Sequence, residues 1–190
     1  MKKTLIGTLA LLFLLVGCGQ KKDSRASTTE NSQEALQSTL PVLENATKNT
    51  VVTKILVLPV DENGVQQTQT ITYKGKQFLS MTIQLKRPVS QELKDYIAEH
   101  GLEEAKKVLK EAEDKDESVQ ETRKITGFSL ESTLLSETEM ETKTTYDFQV
   151  MDIKKSSEDE YFKNIGLENL LKYEPEEYIE NRVASGATVQ

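Results

Sequence analysis

Alternating apolar and polar residues mark the first part of this chain as a run of β-strands. Residues 50–60 are dense in valine, isoleucine and leucine, and the turn sequence at residues 61–64, Asp-Glu-Asn-Gly, predicts a hairpin after them. Residues 66–73 return as a threonine-rich strand, and a second turn signal follows at residues 74–75. A third segment alternates at a period of two, with apolar positions at Leu79, Met81, Ile83 and Leu85. The pattern predicts a three-stranded meander with one buried face.

Residues 90–116 change to the spacing of helices. Pro88 cannot lie inside a central strand, and Ser90 beside it is a favourable N-cap residue. His100 followed by Gly101 is typical of a helix end, where glycine tolerates a positive φ. The apolar stripe beyond this point consists of Leu102, Ala105, Val108, Leu109 and Ala112. We predict one broken helical unit with one face in solvent.

Strand periodicity then returns. Residues 125–135 predict a strand in which Gly127 marks a bulge or a close approach of two backbones. Residues 136–138 predict a turn. Residues 140–150 alternate more regularly than any other segment, so the two segments should pair as a hairpin.

Two helices close the predicted fold. The first covers residues 158–172, and the second is short and follows Pro175. The fold class is therefore α+β: an antiparallel sheet of about five strands with C-terminal helices, in which a helical unit separates the meander from the two-stranded hairpin.

The N-terminus has the three-part layout of a secretory signal peptide. Two lysines precede a charge-free run over residues 5–16, and the run closes on Leu-Val-Gly-Cys at residues 15–18. This tetrad resembles a bacterial lipobox. The resemblance implies cleavage between Gly17 and Cys18, with S-diacylglycerol and N-acyl modification of Cys18.

The pattern divides the chain into three parts. Residues 1–17 are the predicted lipoprotein signal peptide, and their twelve-residue apolar run is shorter than the ~20 residues of a membrane span. Residues 18–49 are polar and charged, which predicts a lipidated N-terminus followed by a flexible tether. Residues 50–190 form a single predicted α+β domain of ordinary size.

Charge narrows the range of partners. Removal of residues 1–17 takes away two lysines and leaves 22 basic side chains against 31 acidic ones, a net charge of −9. Such a domain is repelled by nucleic acid and by anionic lipid headgroups. We therefore expect no nucleic-acid partner, and we expect membrane contact only through the lipid on Cys18.

Cysteine and histidine content restricts the chemistry. Cys18 is the only cysteine, which excludes an internal disulfide, and its acylation excludes a thiol nucleophile. His100 is the only histidine, so a multi-histidine metal site is excluded, and its position favours interaction with a helix C-terminus. Nucleophile-elbow, P-loop and dinucleotide motifs do not occur. We predict no catalytic residues, no metal ligands and no cofactor.

Acidic residues supply the remaining candidates. Residues 114–118, Asp-Lys-Asp-Glu-Ser, begin like a calcium loop, but Val119 and Ile125 occupy the positions where glycine and glutamate are expected. Residues 114–121 are therefore predicted to form a solvated acidic loop. Asp147 is unusual because acids are uncommon in strands, and alternation places it on the solvent face.

Several phrases resemble the YehR-like bacterial lipoproteins. They are the lipobox ending at Cys18, Ile-Thr-Tyr-Lys-Gly-Lys at residues 71–76, Glu-Glu-Ala-Lys-Lys at 103–107, Ile-Thr-Gly-Phe at 125–128, and the strand containing Tyr-Asp at 146–147. The acidic stretch around Asp114 and the last fifteen residues depart from that family's pattern. The resemblance implies a lipoprotein with an antiparallel α+β domain and supplies no reaction.

These observations favour a membrane-anchored surface lipoprotein that acts as a non-enzymatic binding or accessory module of the cell envelope. Its partner would be an envelope protein or a small ligand, and the composition favours a Gram-positive membrane. Two alternatives remain open, a carboxylate-based envelope hydrolase and a small solute-binding lipoprotein. Residues 11–17 also resemble the peptide pheromones that some cocci release from lipoprotein signal peptides.

Overall fold

The computed structural model describes residues 50–190 and has an α+β fold. The predictions for residues 1–49, including lipid attachment at Cys18 and cleavage after Gly17, lie outside the described residues. The strands are β1 (Val51–Val57), β2 (Gln66–Lys74), β3 (Gln77–Pro88), β4 (Phe128–Leu134), β5 (Glu139–Asp147) and β6 (Thr188–Val189). The helices are α1 (Gln91–His100), α2 (Leu102–Lys115), α3 (Glu117–Arg123), α4 (Ile153–Ser156), α5 (Glu160–Ile165), α6 (Leu167–Leu170) and α7 (Pro175–Ala184).

The strands form one antiparallel sheet in the order β4-β5-β3-β2-β1-β6. The predicted α+β class is confirmed, and so are the meander and the hairpin. The sixth strand was not predicted, because two residues are too few to show a period. It pairs with β1, and the Gln190 N–H extends the ladder by donating to the Ile55 carbonyl at 2.9 Å.

The first hairpin forms where the sequence predicts it. Asp61 Oδ1 accepts hydrogen bonds from the N–H groups of Asn63, at 2.9 Å, and Val65, at 2.8 Å. Gly64 follows with a φ of +77°. The aspartate thereby holds the chain reversal through its side chain, as Asx turns do, and glycine supplies the left-handed conformation.

Of the two alternatives predicted for Gly127, the close approach of two backbones is confirmed, and the bulge of the sheet lies in β3. Thr72 faces Ser80 and Tyr73 faces Phe78, which leaves Leu79 as the extra residue in β3. Gly127 is instead a place of close backbone approach, because its carbonyl accepts from the Asp147 N–H at 2.7 Å. Strand β4 therefore starts at Phe128, three residues later than predicted.

One face of the sheet is covered by helices and holds two apolar clusters. The first cluster joins the middle of the sheet to the C-terminal segments, and its members include Leu56, Ile71, Met81, Leu130, Met151 and Ile179. The second cluster joins the ends of β4 and β5 to α1 and α2, and its buried members are Val89, Ile97, Ala105, Leu134 and Met140. Both clusters use the alternate positions that the period-two pattern marks as apolar.

Aromatic rings form the centre of the first cluster. Phe162 of α5 is 1% exposed, and its ring centroid lies 5.0 Å from that of Phe128 and 6.3 Å from that of Tyr146. Tyr161 packs edge-on against Phe162 at 5.2 Å. These edge-to-face contacts attach the short C-terminal helices to strands β4 and β5.

A buried polar chain attaches α7 to the middle of the sheet. The Tyr178 hydroxyl donates to Oε1 of Gln69 at 2.9 Å, and Gln69 is 1% exposed on β2. Arg182 Nε donates to the same hydroxyl at 3.0 Å. The Gln69 amide oxygen and the Tyr178 hydroxyl therefore both have hydrogen-bond partners, which offsets the cost of burying them. The predicted helix after Pro175 is confirmed.

Two other predictions, one of a helix and one of a loop, are wrong. The helix expected over residues 158–172 is two short helices, α5 and α6, because Gly166 adopts the left-handed conformation and ends α5. The loop expected over residues 114–121 is largely helical. Asp116 separates α2 from α3 and caps α3, since its Oδ1 accepts from the Val119 N–H at 3.1 Å.

Candidate binding surface

The candidate residues from the sequence occupy three separate places. His100 is the last residue of α1, where the sequence predicts it, and its ring packs against Tyr96 at a centroid distance of 4.4 Å. Asp147 ends β5 on the uncovered face, and its Oδ1 accepts from the Gln149 N–H at 3.0 Å. Asp116, within the calcium-like stretch, is used as a helix cap. The structure does not bring these side chains together.

Among the described residues, one side of the sheet is not covered by helices, and we call this side the open face. It contains the positions that alternate with the apolar ones. Its central row crosses the sheet through Ile55, Thr70, Thr82, Thr145 and Ser129. The row beside it contains Thr53, Thr72, Ser80 and Asp147. No residue of either row is buried, so nothing in the described part of the chain covers them.

Hydroxyl groups on the open face bond to one another across strands. Thr53 Oγ1 and Thr72 Oγ1 are 3.0 Å apart, and Thr82 Oγ1 and Thr145 Oγ1 are 3.2 Å apart. Cross-strand threonine pairs of this kind fix the side-chain rotamers and stabilise the sheet by about 0.2–1 kcal/mol each. These bonds therefore hold the threonine side chains of the open face in place.

Charged residues of both signs occupy one end of the open face. Lys86 lies directly opposite Glu141, and Lys143 lies directly opposite Glu131. Opposite charges across neighbouring strands attract, and their exposed position leaves them available to a partner. The open face thus combines a neutral hydroxyl centre with a mixed-charge end.

The covered face also buries the hydroxyl groups of tyrosines. Burial raises the pKa of Tyr146 and Tyr161, whose hydroxyls bond to each other, and Tyr161 also bonds to the Thr144 hydroxyl. At the edge of this face, burial and the neighbouring Glu176 carboxylate raise the pKa of Tyr73. These phenols stay protonated at neutral pH and act as packing groups with a hydrogen bond each.

A buried carboxylate lies between the helical unit and the sheet. Glu113 Oε2 accepts from Arg123 at 2.8 Å, and the glutamate side chain is 9% exposed. Arg123 also reaches Asp114 at 3.5 Å and donates to the Leu130 carbonyl at 3.0 Å. Because its charge is paired, Glu113 is arranged as a structural group rather than as an acid catalyst.

The depression beside the short C-terminal helices is small. A depression of about 150 Å³ lies beside Phe162, Gly166 and Asn169, below the ~300 Å³ at which drug-sized ligand pockets begin. Between residues 50 and 190, no three His, Cys, Asp or Glu side chains come together in a way that would hold a metal ion. In the same part of the chain, none of the helices combines the length and apolar character needed to cross a bilayer.

A protein-family model matches residues 51–182, almost the whole described part of the chain. The chain belongs to this family. An NMR structure of a protein from Streptococcus pneumoniae TIGR4 is 62% identical, with a TM-score of 0.69, and the match covers 87% of this chain and all of the pneumococcal chain. No curated protein matches. The resemblance to the YehR-like lipoproteins stays a prediction.

Sequence reasoning missed the side chains that join distant elements. The pair Glu113 and Arg123 and the pair Gln69 and Tyr178 each connect a helix to a helix or a strand. Period-two alternation predicts that position 69 faces the core, which would have indicated a buried glutamine needing a partner. Nothing in the sequence indicates which partner it takes.

Proposed function

We propose that the chain is a membrane-anchored bacterial surface lipoprotein whose domain binds another envelope protein through the open face. In this proposal the signal peptide directs lipid attachment to Cys18, and residues 18–49 form the tether between the lipid anchor and the domain. The observation that supports binding is the ordered, uncovered surface of five strands with bonded hydroxyls at its centre.

The size of the open face favours a folded protein over a small ligand. Five strands spaced about 4.8 Å apart, each showing four residues, present about 600 Å². One partner of a standard protein interface contributes about 800 Å². The face has rows of side chains and no deep cavity, so a small molecule would leave most of its surface in water. Its hydroxyls and mixed charges suit a polar, reversible interface.

The anchor is tested by the change Cys18→Ser. We expect the variant in the culture medium or retained as the unprocessed precursor, because the domain's net charge of −9 gives it no other hold on an anionic membrane. The measurement is fractionation of cells with immunodetection, and Ser24→Ala in the same polar segment is the matched control. A Cys18→Ser protein that is processed and still firmly membrane-bound would contradict the proposal.

The binding surface is tested by the change Thr82→Arg at the centre of the open face. We expect it to weaken partner binding by about tenfold or more, because a long charged side chain separates two fitted surfaces. The measurement is crosslinking in cells from a photoreactive residue at position 68, with and without Thr82→Arg. Ala98→Arg, on the exposed side of α1, is the control and should leave the adduct unchanged.

Two results would count against the open face as the binding site. One is an adduct that survives Thr82→Arg at full strength while the protein remains folded. The other is an adduct that Ala98→Arg removes equally well. Thermal unfolding of both variants separates lost binding from lost structure.

A further inference from the structure

Arg87, on the covered face of the sheet, is a cation that has no counter-charge among residues 50–190. It lies on β3 directly opposite Met140 of β5, which is buried. Its Nε is buried and has no hydrogen-bond partner among the described residues, and no carboxylate there lies within ion-pair distance of it. By contrast, Arg123 and Arg182 both donate to protein acceptors.

Thr142 lies diagonally across from Arg87. It faces Leu85, two residues before Arg87, so both side chains occupy the same face of neighbouring strands. Thr142 is 2% exposed, and its hydroxyl has no hydrogen-bond partner among the described residues. The next threonine on that face, Thr144, bonds to Tyr161. Of these two threonines, Thr142 has the unmet hydroxyl.

These two groups lie in a polar strip between the two apolar clusters. On β5, Tyr146 belongs to the first cluster and Met140 to the second, with the threonines between them. On β4, Ser132 lies opposite Thr142 in the same strip. Glu141, the acid next to Met140 on β5, does not neutralise Arg87, because Glu141 lies on the open face. Burial without a counter-charge lowers the pKa of Arg87.

Buried polar atoms in folded proteins almost always have partners, and two unmet donors on diagonal positions point to a shared acceptor. Diagonal neighbours across antiparallel strands have Cβ atoms about 7 Å apart, which is within the reach of a long side chain, so the Arg87 guanidinium and the Thr142 hydroxyl can both donate to one carboxylate. A guanidinium fork also matches the planar pair of oxygens in a carboxylate. We propose that Arg87 and Thr142 form a binding site for a small carboxylate, distinct from the open face.

The apolar neighbours favour a carboxylate over phosphate. Leu85 and Met140 flank the two polar groups along their strands, so the ligand meets apolar side chains on either side of its charged end. A carboxylate with a short aliphatic group satisfies both surfaces, whereas a phosphate presents polar oxygens in every direction. We therefore expect the ligand to be a carboxylate, and phosphate serves as a competing probe.

The experiment titrates the full-length protein with sodium acetate against sodium chloride at constant pH and ionic strength, and follows backbone amides by NMR. We expect saturable shifts at residues 85–87 and 140–143 in acetate. Arg87→Met should weaken acetate binding by about tenfold or more, and Thr142→Val should weaken it by a smaller factor. Lys86→Met removes a cation one residue away on the opposite face and should leave acetate binding unchanged.

Each alternative outcome overturns the proposal. Shifts that persist in Arg87→Met, that disappear in Lys86→Met, or that phosphate produces while acetate does not would all contradict a carboxylate site at Arg87. If Arg87→Met fails to fold, Arg87→Lys keeps the charge without the fork and should still weaken acetate binding severalfold. Success or failure of this titration is independent of crosslinking at the open face.

Discussion

The change Phe162→Ala should destabilise the protein by about 3–5 kcal/mol. Phe162 is 1% exposed and is the residue through which α5 meets Phe128 and Tyr146 of the sheet. Truncation removes the ring's buried area, leaves a cavity and breaks edge-to-face contacts that the neighbouring rings cannot remake. The measurement is the free energy of unfolding from urea denaturation followed by circular dichroism.

Tyr173→Ala is the matched control for Phe162→Ala. Tyr173 is an aromatic residue of the same C-terminal segment, and it is 45% exposed. Its truncation should cost about 0.5 kcal/mol or less, as is usual for surface positions. Equal costs for the two variants would mean that the short helices do not complete the core of the sheet.

The change Gly127→Ala should destabilise the protein by several kcal/mol for a different reason. Gly127 has a φ of +82°, which an alanine adopts at a cost of about 1–3 kcal/mol. In addition, a Cβ at this position would lie 2.7 Å from the Asp147 carbonyl oxygen and 3.1 Å from the Met151 Cβ. A backbone oxygen has little freedom to move, so we expect about 2 kcal/mol beyond the conformational cost.

Gly101→Ala separates the two contributions. Gly101 has a nearly equal φ of +86°, but a Cβ added there would meet no atom within 4 Å. This variant should show the conformational cost alone, and urea denaturation of both proteins gives the difference. If Gly101→Ala costs as much as Gly127→Ala, the contact between residue 127 and the end of β5 is not tight.

The sequence predicts those parts of the fold that local chemistry determines. Period-two alternation predicts β3 and β5 and assigns their faces, because side chains on a strand point alternately to either side. A dense apolar run, a threonine-rich segment and the turn signals between them predict β1 and β2. Ser90 predicts the start of α1, and its Oγ accepts from the Leu93 N–H at 3.3 Å. Gly101 likewise predicts the end of α1. In each case the residues that decide the structure are within a few positions of one another.

The remaining features depend on contacts between distant residues. The pairing of β6 with β1 joins residues more than 130 positions apart, and two residues carry no period of their own. The acidic stretch is helical because Asp116 caps α3 while Arg123 neutralises Glu113 beneath it. The candidate site at Arg87 likewise cannot be predicted from the sequence, since only the register of β3 and β5 brings Thr142 near Arg87.

The contact between Arg123 and the Leu130 carbonyl has a consequence for solubility at high local density. Leu130 lies in β4, the outermost described strand on its side of the sheet, and exposed backbone on such a strand can template pairing with another chain. The guanidinium occupies a backbone acceptor there and, with Glu113 and Asp114, places fixed charge against that border. Crowded copies of the domain would then remain separate instead of joining edge to edge into fibrils.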